Sequence, residues 1–408
     1  MTLLTPEAQR RFALDVVRKL REAGFSAYWA GGCVRDQLLG RTPKDYDVAT
    51  NATPEQIREI FGRRRTLAIG ASFGVITVKG PRAAGMIEVA TFRKDSAYSD
   101  GRHPDNVIFC TAREDALRRD FTINGLFFDP FENRVIDFVG GQEDLALRRI
   151  RAIGRPRERF AEDKLRMLRA VRFSAAFDFA LEDEIRDAIR DMAAEISVVS
   201  PERIAAEMNR MLVDPSRVAA IRLLLDTDLA ASILLEIVPQ NEEQTKQLEQ
   251  ALQVMGRLKG PGFALALAAL LHTMSGATDV EVVCRRWRLS NAITDRAVWL
   301  VEKHAAIADP QAMKWSALQP ILITDGIEDL LKLMEATSAE GAAAYCREKL
   351  RLPPDELNPP PLVTGEDLLQ LGIPQGPQYR SILQKIREMQ LDGELLTREA
   401  ALVSISSF

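Results

Sequence analysis

Two glycines, an arginine and a pair of aspartates crowd one short stretch near the start of this 408-residue chain, and their spacing suits phosphate chemistry. Gly31-Gly32-Cys33-Val34-Arg35-Asp36 follows the apolar run Ala27–Ala30, so it reads as a strand, a glycine turn and a short helix over Val34–Gly40. Without side chains in the way, Gly32 lets backbone N–H groups approach an anion, and Arg35 just past the turn can clamp a phosphate oxygen. Asp45 and Asp47 are two apart on an expected strand over 45–49. Their carboxylates then share one face and can hold one hard cation. A phosphate cradle beside paired carboxylates is the equipment of metal-assisted phosphoryl or nucleotidyl transfer. Each half alone is a common turn or solvated loop; the two in this order carry the reading. Glu88, in the strand pattern Met86–Phe92, is a candidate third carboxylate, with an exposed strand glutamate as the equal alternative.

The elements that must position these groups alternate in type over the first 150 residues. Helical spacing runs from Pro6 to Ala23 through Phe12, Val16, Val17 and Leu20. Strands are expected near 27–30, 45–49, 74–79, 86–93 and 134–138. A helix is expected over Pro54–Phe61, started by Thr53 and Gln56, and another from about 113 to 126. The polar, glycine-containing stretch Arg93–Pro104 reads as a mobile loop. Beyond Gly154 helices dominate, among them Glu182–Glu195, Pro201–Leu212, Arg217–Leu225 and Gly262–His272. Pro353-Pro354 and Pro359-Pro360-Pro361 cannot continue a helix and mark a linker to a helical tail. The expected fold is therefore α+β, an α/β head followed by all-helical parts, divided at 1–150, 151–215, 216–352 and 353–408.

Apolar residues make up 46% and charged residues 27%, ordinary for a globular protein. No run approaches the eighteen apolar residues of a membrane span, and the start lacks the pattern of a signal peptide. Cys33, Cys110, Cys284 and Cys346 are scattered, which fits reduced thiols in a cytoplasm and argues against zinc. A net charge of −4 hides a local bias: Arg148–Arg172 holds ten Lys/Arg against three acids, +7 in 25 residues. With so few local acids to pair these cations, the stretch points to a phosphate-rich ligand.

Two further blocks extend the pattern: Ala116-Leu117-Arg118-Arg119-Asp120-Phe121-Thr122-Ile123-Asn124-Gly125-Leu126, and Arg159-Phe160-Ala161-Glu162-Asp163-Lys164-Leu165-Arg166-Met167-Leu168-Arg169-Ala170-Val171-Arg172-Phe173. Together with the first motif they resemble the polymerase-β-type nucleotidyltransferases, in particular the class II tRNA CCA-adding enzymes and bacterial poly(A) polymerases. Gly125 stands where that family usually has alanine. The resemblance implies a nucleotidyltransferase head, helical neck, body and tail, Mg²⁺ on Asp45 and Asp47, CTP and ATP as substrates, and the tRNA 3′ end as partner. It implies that Arg119, Asp120 and Asn124 contact the ribose and phosphates, and that Arg169 and Arg172 add further nucleotide or phosphate contacts. The 93–104 loop would help switch specificity from C to A, and the tail from Gly365 would meet the outer part of the tRNA.

The Glu162-Asp163-x-x-Arg166 unit has a chemical logic of its own. Three apart on one expected helix, Asp163 and Arg166 would emerge as neighbours. A carboxylate only accepts hydrogen bonds and a guanidinium only donates. Cytosine and adenine each offer an amino donor beside a ring-nitrogen acceptor, whereas guanine and uracil offer a carbonyl beside a ring N–H. One Asp–Arg pair therefore admits C and A and rejects G and U without a nucleic-acid template. Poly(A) polymerase is the runner-up activity; Ile69-Gly70-Ala71-Ser72-Phe73-Gly74-Val75 looks more like the CCA side of the family, and no strongly basic C-terminal extension is present. Whether all of CCA, only CC or only the final A is added stays open at this level, though the 93–104 loop disfavours CC-only addition. His272 is followed by Thr273 where some relatives carry a His-Asp pair, so a helix-end role is expected for it and no phosphohydrolase activity.

Overall fold

The computed structural model describes residues 4–95, 107–274 and 276–405. The chain divides into two compact units, Met1–Leu235 and Glu236–Phe408. In the first, helix α1 (Pro6–Glu22) starts at Thr5, whose side chain accepts from the Ala8 amide, and it buries the stripe Phe12, Val16, Val17 and Leu20. Seven strands then build one mixed sheet: β1 (Ala27–Ala30), β2 (Asp47–Thr50), β3 (Thr66–Leu67), β4 (Val75–Lys79), β5 (Met86–Thr91), and, past a separate hairpin of β6 (Arg93–Asp95) and β7 (Val107–Phe109), β8 (Phe127–Asp129) and β9 (Arg134–Ile136). Their order is β3-β4-β5-β2-β1-β8-β9. Only β2 and β5 run parallel, with Asp47 opposite Glu88. Between these strands lie α2 (Gly32–Leu38) and α3 (Pro54–Phe61). The expected Thr53–Gln56 capping box is present, each partner's side chain bonding the other's backbone. The interior of the Arg93–Pro104 loop lies outside the described residues.

Three local expectations need correction. The strand expected over 45–49 begins at Asp47, so Asp45 sits just before it. The helix expected over 113–126 stops early, as α4 (Ala112–Leu117). The cause is Asp120: its Oδ1 accepts from the amide of Phe121 at 2.8 Å, a local side-chain bond that competes with the helix. The chain continues through a 3₁₀ turn, Thr122–Asn124. There a Cβ on Gly125 would lie 2.8 Å from Val139 Cγ2, so the neighbouring core of this chain suits glycine at that place. Past α5 (Gly141–Ala146), the block 159–173 is two helices, α6 (Pro156–Glu162) and α7 (Leu165–Phe177), broken at an extended Asp163 (φ −147°, ψ 104°). Asp163 Oδ1 accepts from the Leu165 amide at 3.1 Å and starts the second helix. Helices α8 (Asp183–Met192) and α9 (Pro201–Leu212) complete the neck that packs on α6 and α7.

The second unit is helical, from Glu242–Arg257 through Gly365–Gln370 to Arg398–Ile405. Its C-terminal part has a core of its own around Val363, Leu368, Ile386, Leu395, Ala401 and Ile405. His272 follows the helix Phe263–Leu271, bonds the Ala269 carbonyl at 2.9 Å and packs edge-on against His304. Among the described residues no helix is long and apolar enough to cross a membrane.

Head and neck meet at Asp120. Its Oδ2 accepts from Arg169 of α7 at 2.9 and 2.7 Å, and its Oδ1 from Asn124 at 3.1 Å. Burial pushes the carboxyl up, but the Arg169 charge and the converging hydrogen bonds outweigh it and hold the group at about 2. Asp120 therefore contributes stability that is present above its unfolded range near 3.8 and is lost as pH falls toward 2. Replacing it with Asn should cost about 2 kcal/mol at pH 7, measured by urea unfolding. The gap to the wild type should shrink to roughly half by pH 3. An equal gap at both pH values would mean that the charge is not what stabilises the junction.

Candidate active site

The carboxylates come together through strand register. Asp47 opens β2 and Glu88 lies beside it on the parallel neighbour β5, so both side chains leave the same face of the sheet. Asp45, just upstream, adds a third charge nearby. The Asp47 carboxylate has an edge open to solvent, yet protein packs closely around it. That burial pushes it up to about 6, with the Asp45 and Glu88 charges adding to the rise and Arg119 opposing it. Crowded oxygen donors of one sign suit a hard divalent cation. Among the described residues no group of three or more acidic, His or Cys side chains is tight enough to hold an ion alone. An ion would rest on Asp45 and Asp47 and take its remaining oxygens from substrate and water.

The glycine turn forms as expected, but the residue whose backbone needs glycine is Gly31. It adopts φ +71°, and a Cβ there would lie 3.0 Å from Arg119 Nη1. Gly32 starts α2. Arg35 is buried, donating to Asp36 at 2.9 and 2.8 Å and to Asn124 Oδ1 at 2.6 Å, with its guanidinium 4.4 Å from the Phe177 ring. Gly32, Arg35 and Asp45 border a cleft of about 630 Å³ together with Arg41, Lys44, Arg172 and Arg210. Arg119 donates to Asp115 at 3.0 Å and to the Asn124 carbonyl at 3.2 Å, which sets it beside Gly31.

The neck corrects the charge argument. All ten cations between Arg148 and Arg172 are ion-paired. Arg149 and Arg151 share Asp144, Arg159 and Arg166 share Glu162, and Arg148, Arg155, Arg157, Lys164, Arg169 and Arg172 pair with Asp178, Glu158, Asp191, Glu195, Asp120 and Glu207. Carboxylates distant in sequence balance an excess that was real only locally. The Asp163–Arg166 neighbour pair is also absent as such, because the helix breaks between them. Arg166 Nη1 bonds Glu162 at 2.6 Å and the Arg159 carbonyl at 3.0 Å, while Asp163 Oδ2 accepts from Arg203 at 2.8 Å. Arg41, Lys44 and Arg210 in the cleft, and Arg203 and Glu207 on α9, carried no signal in the sequence beyond that of ordinary surface charge.

Three protein families match in order: the "Poly A polymerase head domain" over residues 27–151, the "Probable RNA and SrmB- binding site of polymerase A" over 178–240, and tRNA nucleotidyltransferase domain 2 over 263–405. The CCA-adding enzyme of Lactococcus lactis subsp. cremoris is 33% identical over 403 residues, spanning 96% of this chain and 94% of its own. That of Geobacillus stearothermophilus is 34% identical over 394 residues, spanning 94% and 93%. The crystal structure of the Bacillus stearothermophilus CCA-adding enzyme in complex with CTP superposes with a TM-score of 0.78 at 30% identity, covering 99% of this chain and 98% of that one. At that identity over nearly the full length of both chains, the protein belongs to the CCA-adding enzyme family of nucleotidyltransferases.

Proposed function

We propose that this protein adds C and A from CTP and ATP to the 3′ end of tRNA, building or completing CCA with no nucleic-acid template. The observation that carries the reading is the register that sets Asp47 against Glu88, with Asp45 nearby bordering a cleft that also holds Gly32 and Arg35. The full-length likeness to CCA-adding enzymes, one of them solved with CTP, supports the substrate. We assign residues 1–150 to the catalytic head, 151–215 to the neck, 216–352 to the body and 353–408 to a tail that meets tRNA. Four free thiols fit work in the cytoplasm.

In this account the metal is Mg²⁺. When bound to Asp45 and Asp47, it offsets charge at the α-phosphate and makes the 3′-hydroxyl a better nucleophile. Glu88 keeps the carboxylate cluster negative on the hydroxyl side. Gly32 and Arg35 cradle the triphosphate, and Arg119 and Asn124 face ribose and phosphate. Asp120 braces Asn124 from behind, and Arg169 and Arg172, held by Asp120 and Glu207, stand as further nucleotide or phosphate contacts.

Glu162, Asp163 and Arg166 read the base. Glu162 holds Arg166 through Nη1, and among the described residues no partner engages its Nε or Nη2, so those N–H groups can meet the ring nitrogen. Each Asp163 oxygen has one partner and keeps capacity for the amino group of C or A. Guanine and uracil would set donor against donor and acceptor against acceptor.

Asp45→Ala or Asp47→Ala should abolish nucleotide incorporation while tRNA binding, read by gel shift, survives. Near-normal turnover in either variant with Mg²⁺ would remove the metal assignment. Asp163→Ala should lose rate with CTP and ATP and gain relative use of UTP and GTP, by roughly tenfold to a hundredfold. The measurement is kcat/KM for the four nucleotides on a tRNA lacking CCA. Uniform slowing with the preference for C and A intact would make Asp163 a structural residue.

A further inference from the structure

Arg63, Arg64 and Arg65 form one exposed 3₁₀ turn between α3 and β3. Among the described residues none of the three is ion-paired, whereas every cation of the neck stretch 148–172 is. The turn itself is held: the Arg65 amide donates to the Gly62 carbonyl at 3.0 Å, and the Thr66 hydroxyl to the carbonyls of Gly62 and Arg63 at 3.2 and 3.3 Å. Arg65 borders a cleft of about 350 Å³ together with Arg18 and Lys19 of α1 and with Pro81, which the exposed Arg82 follows. Asp15 and Glu22 also line it, but Arg18 takes up Asp15 at 2.8 Å. Six cations against two acids at and around this cleft leave a positive rim over a floor of Phe12, Val16 and Phe61.

The rim lies on the side of the sheet away from the candidate catalytic carboxylates. Arg10 of α1 sits over Trp29 of β1, 5.5 Å from its ring centre. Trp29 pairs in register with Val48, and Val48 with Val89. Paired residues share a face, and neighbours along a strand alternate. Helix α1 therefore covers the face of Val89, while Asp47 and Glu88 leave the opposite one. A molecule held at the rim is separate from one held at the carboxylates.

With three residues per turn, consecutive side chains splay about 120° apart. The arginines thus reach over a breadth of surface and cannot close on one small anion. That geometry fits a string of phosphates, and each guanidinium carries forked N–H donors that match phosphate oxygens. The floor of the cleft offers apolar contact only, so it reads no base edge. We propose that this face of the head is a second RNA-binding surface, gripping the phosphate backbone without regard to sequence and apart from the 3′ end at the active site. The proposal does not depend on which nucleotides that site adds.

The test compares the wild type with the combined Arg63→Gln, Arg64→Gln, Arg65→Gln variant. Binding of a labelled oligouridylate of about twenty nucleotides is followed by fluorescence anisotropy from about 50 to 300 mM KCl. The variant should bind roughly tenfold more weakly at the low-salt end, and the slope of log Kd against log salt should fall by about two, as three lost phosphate contacts on a single strand require. Its urea midpoint should match the wild type, because the three side chains are exposed. Its kcat for CTP on a saturating acceptor-stem minihelix should match as well, because the rim is apart from the carboxylates. Unchanged affinity and salt slope would overturn the proposal. So would a loss of RNA binding matched by an equal loss of kcat, which would place the damage at the active site. If the variant instead loses binding to polyglutamate and keeps its grip on RNA, the surface serves an acidic protein and the RNA proposal falls.

Discussion

Asp120 stays an anion out of water because hydrogen bonds converge on both of its oxygens from two parts of the chain. Asn124 and the Phe121 amide come from the head, and Arg169 from the neck. Asn124 passes the constraint on, since its other amide end accepts from Arg35 beside the glycine turn. Arg169 passes it the other way, toward Glu207 and so to Arg172 and Arg210. A single polar chain therefore links Arg35 beside the glycine turn to Arg169 and Arg172 of α7 and Glu207 of α9. Such a chain is costly to break anywhere, because each member removed leaves a shielded partner unsatisfied.

That rigidity has a functional meaning. Selecting C and A without a template requires protein groups to imitate a Watson–Crick partner, and a displaced donor or acceptor would admit the wrong base. The groups proposed to read the base stand where the neck chain breaks between two helices, so neighbours must fix them. Glu162 fixes Arg166, and the Leu165 amide and Arg203 fix Asp163. The candidate catalytic carboxylates need less support of this kind, because the parallel register of β2 and β5 already sets Asp47 beside Glu88.

How much of this could be read from the sequence follows from the range of the forces involved. Local signals held: Thr53 with Gln56 started α3, and Pro201 and Leu212 bound α9 as their spacing predicted. The family was legible because residue type and order in three motifs sufficed. The two helix breaks were not, since at Asp120 and Asp163 a side chain bonds a nearby backbone amide and defeats the helical period. The local charge excess misled most. Asp144, Asp178, Asp191, Glu195 and Glu207 neutralise arginines and a lysine that the sequence window left unpaired. Only the fold brings these charges together, and for the same reason Arg203 looked like any surface arginine.

Template-free completion of CCA shows itself in the order of additions. The wild-type protein is incubated with tRNAs ending before CCA, after C and after CC, with each nucleotide alone and with CTP and ATP together, and the products are resolved to single nucleotides. The protein should make two additions from CTP alone on the shortest tRNA, a third only when ATP is present, and stop after the terminal A. Addition of A solely to the CC-ended tRNA would make this an A-adding enzyme. An open-ended run of A would make it a poly(A) polymerase.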